Sequence, residues 1–303
     1  MAFLWERKEN RSEEYAQITG FDGSARDLVI PERIEGLAVR SIAAHAFENR
    51  AELRSIVLPG SLVTLRPFAF YNCVNLKTIE LYNATNDYYD GVIRRCTSLE
   101  CITVHCDKPE DYVIVRSMLQ DVDGTLTFHL MMPDGELRLT FPEYVNEAKE
   151  DTMARAIHFS IEGAGMAYRE CIGKKSIDLP GYDRLLQRLT AYDLAVGADI
   201  AFGRLRYPLG LSQGAQEGYE KFLAENDEKV LSVLIENEDE ADSEKNLRLM
   251  TEHRLIGEAA LETALQLAAD KEKTGLCARL ISYRSEAFAE EQKDVSQVMS
   301  LEW

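Results

Sequence analysis

Three leucines stand 23 residues apart, at Leu53, Leu76 and Leu99, and each opens a block of the same pattern. Leu53-Arg54-Ser55-Ile56-Val57-Leu58 aligns with Leu76-Lys77-Thr78-Ile79-Glu80-Leu81 and with Leu99-Glu100-Cys101-Ile102-Thr103-Val104. The first, fourth and sixth places are apolar in every block. The last two of these alternate as in a strand, which puts both side chains on one face. A block this short cannot bury its own apolar face, so a fixed period of this length predicts stacked repeats. The match continues upstream, where Ala46-Phe47 aligns with Ala69-Phe70 and Val92-Ile93 is the degenerate third copy. Cys73 and Cys96 both stand three residues before an anchor leucine, a place for a small buried filler.

Ahead of these blocks, Tyr15-Ala16-Gln17-Ile18-Thr19-Gly20-Phe21-Asp22-Gly23 runs into Leu28-Val29-Ile30-Pro31. Ile34, Gly36, Val39, Ile42 and Ala46-Phe47 follow, and Leu58-Pro59 with Leu62, Leu65 and Ala69-Phe70 is a second copy. Together these residues resemble the BspA-type leucine-rich repeats of bacteria, over residues 13–106. The resemblance implies a β-solenoid. Ala43 and Arg66 stand where that family often has glycine, and Tyr82 and His105 stand where proline follows the strand. These departures predict a short array of three or four strands that fades near Cys106.

At 303 residues and 46% hydrophobic content, two domains or a domain plus an array can each bury a core. Charges begin at Glu6, leaving no signal-peptide h-region before them. No stretch approaches the roughly 18 apolar residues of a membrane span. Members of the resembled family are often surface proteins; the missing leader makes the cytoplasm the expected location here, with thiols kept reduced. The formal net charge of −18 disfavours nucleic acid and anionic membranes as partners, since binding them rests on Lys and Arg. It favours a protein partner with a neutral or basic surface, and it also keeps the chain soluble.

The chain reads as α+β in three parts: a short leucine-rich-repeat β-solenoid over 1–106, a β-rich capping segment over 107–180 and a C-terminal α-helical hairpin stack over 181–303. In the middle part, Thr125–Leu130 and Glu136–Phe141 alternate around the turn signal Met131-Met132-Pro133-Asp134-Gly135, which predicts a hairpin. A helix is expected across Pro142–Ile157, with Ala156–Glu162 as a further strand. Such a segment would cap the open end of the array. Beyond residue 180 the spacing turns helical. Leu185, Leu186, Leu189, Tyr192 and Leu194 predict a helix ending near Gly197. Five more are expected around Tyr219 and Leu223, Val230 and Leu234, Leu247 and Met250, Leu261 and Ala268, and Leu276 and Leu280. The last pairs resemble ankyrin-type helix pairs without the usual T-P-L-H start.

Candidate chemistry is sparse. Cys96, Cys101 and Cys106 stand five apart beside His105, but side chains five apart on a strand face opposite ways, so no zinc site is expected. Gly173-Lys174-Lys175-Ser176 has Tyr168 where a phosphate loop needs glycine. Gly163 and Gly165 lack the third glycine and the βαβ setting of a dinucleotide site. The five histidines are scattered. No catalytic, cofactor or metal residue is therefore assigned, and no cofactor is expected. The acidic run from Glu236 to Glu244 reads as a solvated loop between helices.

What remains is surface. Residues between the inward anchors line the open face of such an array: Arg54, Ser55 and Val57; Lys77, Thr78 and Glu80; Glu100, Cys101 and Thr103. Tyr82, Tyr88 and Tyr89 add an aromatic patch nearby, tyrosine being a favoured interface residue. The expectation is a non-catalytic interaction or scaffold protein using this face, the acidic helical part or both. The alternative is an enzyme or small-molecule sensor with a pocket near His129, His158 or Tyr168.

Overall fold

The structure, a computed structural model, describes residues 2–108, 110–151, 156–189 and 193–288. It divides into two compact units, Met1–Arg188 with Tyr207–Gly210, and Leu189–Arg206 with Leu211–Trp303.

The first unit is a coil with two hydrogen-bonded sheets, its strands numbered in chain order. The first sheet runs β1 (Ala2–Glu9), β2 (Glu14–Asp22), β5 (Leu37–Ile42), β7 (Thr64–Leu65) and β9 (Asp87–Tyr88), with β4 (Arg33–Ile34) paired to β5. The second runs β3 (Asp27–Val29), β6 (Ser55–Val57), β8 (Thr78–Tyr82), β10 (Cys101–His105), β11 (Leu126–Met132) and β12 (Gly135–Phe141). The register states the repeat length directly. Ser55 faces Thr78 and Thr78 faces Cys101 in the second sheet, and Ser41 faces Thr64 and Thr64 faces Asp87 in the first, each pair 23 residues apart. A third side has no strands among the described residues but is laddered by backbone bonds. Phe47 N–H donates to Ala69 O (2.8 Å) and Phe70 N–H to Val92 O (2.9 Å).

The inward residues are those of the repeat. Leu62, Leu76, Leu81, Val92, Ile93 and Ile102 are all 0% exposed, so the degenerate Val92-Ile93 pair fills the same place as Ala69-Phe70. Each such side chain contributes about 2 kcal/mol on burial. Cys73 and Cys96 are the buried fillers expected, and their thiols donate to Phe47 O (3.0 Å) and Phe70 O (3.2 Å) one coil apart. The hydrogen-bonding Cys73 thiol beside it, and then burial, push the Cys96 sulfhydryl up, so it is held protonated.

The array is longer than expected. It does not fade at Cys106: β11 pairs parallel with β10, Cys101 against Thr127, so the predicted hairpin supplies one more coil to a solenoid of about five turns. The extra residues between those strands hide the period, because they form α1 (Val113–Leu119). Both ends carry closing elements. Antiparallel β1 flanks the first sheet and antiparallel β12 flanks the second. The hydroxyl of Tyr182 accepts from Thr140 N (2.9 Å) and donates to Thr140 O (2.6 Å), covering the β12 edge. After α1, Asp121 takes the hydroxyl of Tyr88 (2.6 Å) and the backbone N–H of Gly91 (3.2 Å) on the coil that carries β9.

The helix expected across Pro142–Ile157 is instead a hairpin, β13 (Val145–Asp151) with β14 (Ala156–Glu162), Val145 opposite Glu162. The strand expected at Ala156–Glu162 forms as read. At the hairpin's base, α2 (Gly165–Glu170) brings in buried Arg169, which donates to the carbonyls of Pro142, Gly165 (3.1 Å), Val122 (3.1 Å) and Gly124 (2.7 Å). Its guanidinium also lies 4.8 Å from the centre of the Tyr144 ring. These bonds tie the segment before the hairpin, at Pro142, to the helix after it and to the chain before β11. α3 (Leu179–Arg184) follows, started by Asp178, which accepts from Gly181 N (2.9 Å).

The helix expected over Leu185–Leu194 is also corrected. Leu185–Arg188 is a 3-10 turn, residues 190–192 lie outside the described ones, and α4 (Leu194–Arg206) runs through Gly197 rather than ending there. Gly197 persists because a Cβ there would stand 2.7 Å from Phe222, so the glycine permits close packing. The other five expected helices form: α5 (Gln213–Glu225), α6 (Asp227–Glu236), α7 (Glu240–Glu252), α8 (Glu258–Asp270) and α9 (Thr274–Ala287). They pair as hairpins and stack, α6 on α8 and α7 on α9. The acidic run is not a loop along its length. Asp239 accepts from Asp242 N (3.1 Å) as the cap of α7, and Glu240 and Asp242 fill the first turn. Carboxylates there oppose the positive end of the helix dipole. No described helix is long and apolar enough to cross a membrane.

Candidate functional site

Strand alternation sends every second residue of the second sheet outward, and the register lines these residues up in columns. Ser55, Thr78, Cys101, Thr127 and Thr140 form one column; Val57, Glu80, Thr103, His129 and Arg138 form the next. The expected residues Ser55, Val57, Thr78, Glu80, Tyr82 and Thr103 all stand on this face, on β6, β8 and β10. Arg54, Lys77 and Glu100 precede those strands at one register, and Lys77 Nζ meets Glu100 Oε1 at 2.8 Å across one coil. The three expected tyrosines are not one patch. Tyr82 belongs to the second sheet, but Tyr88 ends β9 in the first sheet with its hydroxyl on Asp121, and Tyr89 follows it. A coil crosses from one sheet to the other between Tyr82 and Tyr88, so nearness in sequence is not nearness on a face.

The structure adds residues that the block alignment did not single out. His105 stacks on Tyr82 (4.6 Å between ring centres) and its Nε2 lies 2.7 Å from Glu80. On the next strands His129 Nε2 lies 2.8 Å from Glu136, and Tyr207 packs on the His129 ring at 4.9 Å. The hydroxyls of Thr127 and Thr140 meet at 2.9 Å, both buried. Alternation within the predicted hairpin already put His129 and Glu136 on one side; what was missing was the parallel pairing that joins the hairpin to the array. The chemistry of the face is hydrogen bonding, ion pairing and ring stacking.

A cleft of about 480 Å³ lies elsewhere in the first unit, lined by Ala167, Glu170, Cys171, Asp178, Arg184 and Arg188 among others. Neither His129 nor Tyr168 lines it, and the side chain of His158 lies outside the described ones. Burial and the acids around it push the Cys171 thiol up to about 11, so it is protonated at neutral pH and a poor nucleophile. Among the described residues no three metal-ligating side chains come together, Cys96, Cys101 and Cys106 included.

Parallel sheets in a 23-residue register around a leucine and isoleucine core define a leucine-rich-repeat β-solenoid, here followed by a helical region. Residues 24–125 match the family described as BspA type leucine rich repeat region, in six copies. Among solved structures, a leucine rich repeat protein of T. pallidum is 27% identical, with 34% of this chain and 50% of that one covered and a TM-score of 0.31. A leucine rich cell surface protein of Faecalibacterium prausnitzii A2-165 is 20% identical, with 33% and 30% covered and a TM-score of 0.26. The chain thus spans half or less of the length of either structure. No curated protein matches it.

Proposed function

We propose that the protein is a non-catalytic interaction module that docks an extended segment of a partner protein on the outer face of the second sheet. Arg54, Ser55, Val57, Lys77, Thr78, Glu80, Tyr82, Glu100 and Thr103 would make the contacts. The observation that carries this reading is the in-register column array, which repeats hydrogen-bonding and charged groups at a fixed step. The four strands β3, β6, β8 and β10, spaced about 4.8 Å apart, make an open face about 14 Å wide and about 16 Å along the longer strands; beyond them Thr127 and Thr140 are buried. That footprint suits a strand-like segment better than a globular partner, which needs about 800 Å². Tyr88 and Tyr89 would contribute only to a partner that also reaches the first sheet. The acidity of the chain supports a protein partner over nucleic acid or an anionic membrane. The six free cysteines support a cytoplasmic location, which cell fractionation would check.

The test is recovery of partners from the native host by pull-down and mass spectrometry, comparing the natural chain with one carrying Arg54→Glu, Lys77→Glu and Glu100→Lys. Loss of a specific partner with an unchanged melting temperature is expected. Recovery of every partner by the variant would overturn the repeat-face reading.

A further inference from the structure

A second surface of the array lies at the corner between the first sheet and the third side. In each coil the chain turns there through a left-handed residue: His45 (φ 61°), Phe68 (φ 58°) and Gly91 (φ 70°), 23 residues apart. Another left-handed place recurs four residues on, at Asn49 (φ 61°), Asn72 (φ 60°) and Arg95 (φ 64°). Glycine and asparagine adopt this conformation readily, while phenylalanine and arginine are strained in it. Gly91 shows that the turn accepts glycine, yet the middle coil holds a half-buried phenylalanine.

These residues build a ladder of rings and guanidiniums. His45 stacks on Phe68 (5.4 Å), Phe68 sets its edge on Tyr71 (5.5 Å, 87°), Arg95 lies over Tyr71 (5.9 Å) and Arg66 over Tyr89 (5.2 Å). Of the acids nearby, Glu48 is held by His45 (2.7 Å) and Asp90 by Arg94 (2.9 Å), while Asp87 accepts from the Thr64 hydroxyl (3.3 Å). Arg66 and Arg95 have aromatic rings as partners and no carboxylate among the described residues. A guanidinium lying on a ring still offers its in-plane N–H fork to a carboxylate. The edge of a stacked ring is also its positive part.

We propose that this corner binds an acidic extended peptide of another protein, with its carboxylates on Arg66 and Arg95. Most of the chain's net charge of −18 lies beyond this stretch, since the first 100 residues carry 12 Lys and Arg against 14 Asp and Glu. Charges farther away than about 8 Å are screened at physiological salt. The corner uses other residues than the second-sheet face, so the two readings stand or fall separately.

The test is fluorescence anisotropy on the full chain with a fluorescein-labelled octapeptide of alternating glutamate and serine, and its lysine and serine counterpart. Saturable binding of the glutamate peptide alone is expected, weakened about tenfold or more by Arg66→Glu with Arg95→Glu at unchanged thermal stability. Arg66→Lys with Arg95→Lys, which keeps the charge and loses the fork, should fall between. Arg54→Glu with Lys77→Glu should leave the affinity unchanged. Absence of saturable binding, equal binding of the lysine peptide, unaltered affinity in the Arg66→Glu, Arg95→Glu chain, or loss through the second-sheet variant would each overturn the proposal.

Discussion

At the level of single residues, the coil that carries β9 depends on Gly91 and Asp121. A Cβ at residue 91 would stand 2.4 Å from the Phe68 ring, at a positive φ. Gly91→Ala should therefore lower stability by about 2 kcal/mol in urea titrations. Asp121→Ala removes the acceptor of Tyr88, Gly91 and Ile93 and leaves these donors unmatched. A loss of about 2–3 kcal/mol is expected by thermal melting. The same contact has an alkaline signature. Burial, then the charge of Asp121, raises the Tyr88 phenol well above its ordinary value. The folded chain therefore keeps a proton that the unfolded chain releases, and stability should be level up to about pH 10 and fall above it. Urea midpoints at pH 9 and about pH 11 should show a smaller drop in Tyr88→Phe. Of these residues the sequence had marked Tyr88, but as a surface aromatic. Its hydroxyl's partner lies 33 residues away, beyond any local pattern.

At the level of elements, periodicity decided what could be read. The blocks at Leu53, Leu76 and Leu99 became strands because alternation and a 23-residue step agreed. The hairpin around Met131–Gly135 was legible from its turn. Its parallel union with β10 was not, since α1 interrupts the step. Pro142–Ile157 misled because its first half pairs with Ala156–Glu162 as a hairpin, and the arginine that holds the hairpin's base, Arg169, lies beyond any local spacing. The acidic run misled differently: charge density suggested a loop, but acids are also what a helix start prefers. Asp239→Ala should accordingly cost about 1 kcal/mol, seen as reduced helicity or an earlier melt.

At the level of the whole molecule, two compact units imply two unfolding events. Leu65→Ala, at a site 1% exposed in the first unit, should lower one calorimetric transition by about 3 kcal/mol of stability and leave the other in place. A single transition that moves as a whole would show the units to be one cooperative body. The candidate face was largely legible, because its residues repeat in register with the buried anchors. The corner around Phe68 was not, because a left-handed turn leaves no hydrophobic period behind.

The chain passes from the first unit into α4, returns for Tyr207–Gly210, where Tyr207 rests on His129, and then leaves for α5. The helical half is thus not a bead threaded after the array but a parenthesis with a word of the main clause inside it. One cut cannot part the two cleanly, since cleavage after Arg188 strands Tyr207 on the wrong fragment. Lifting out the helices as a cassette would take a piece of the first unit's surface with them.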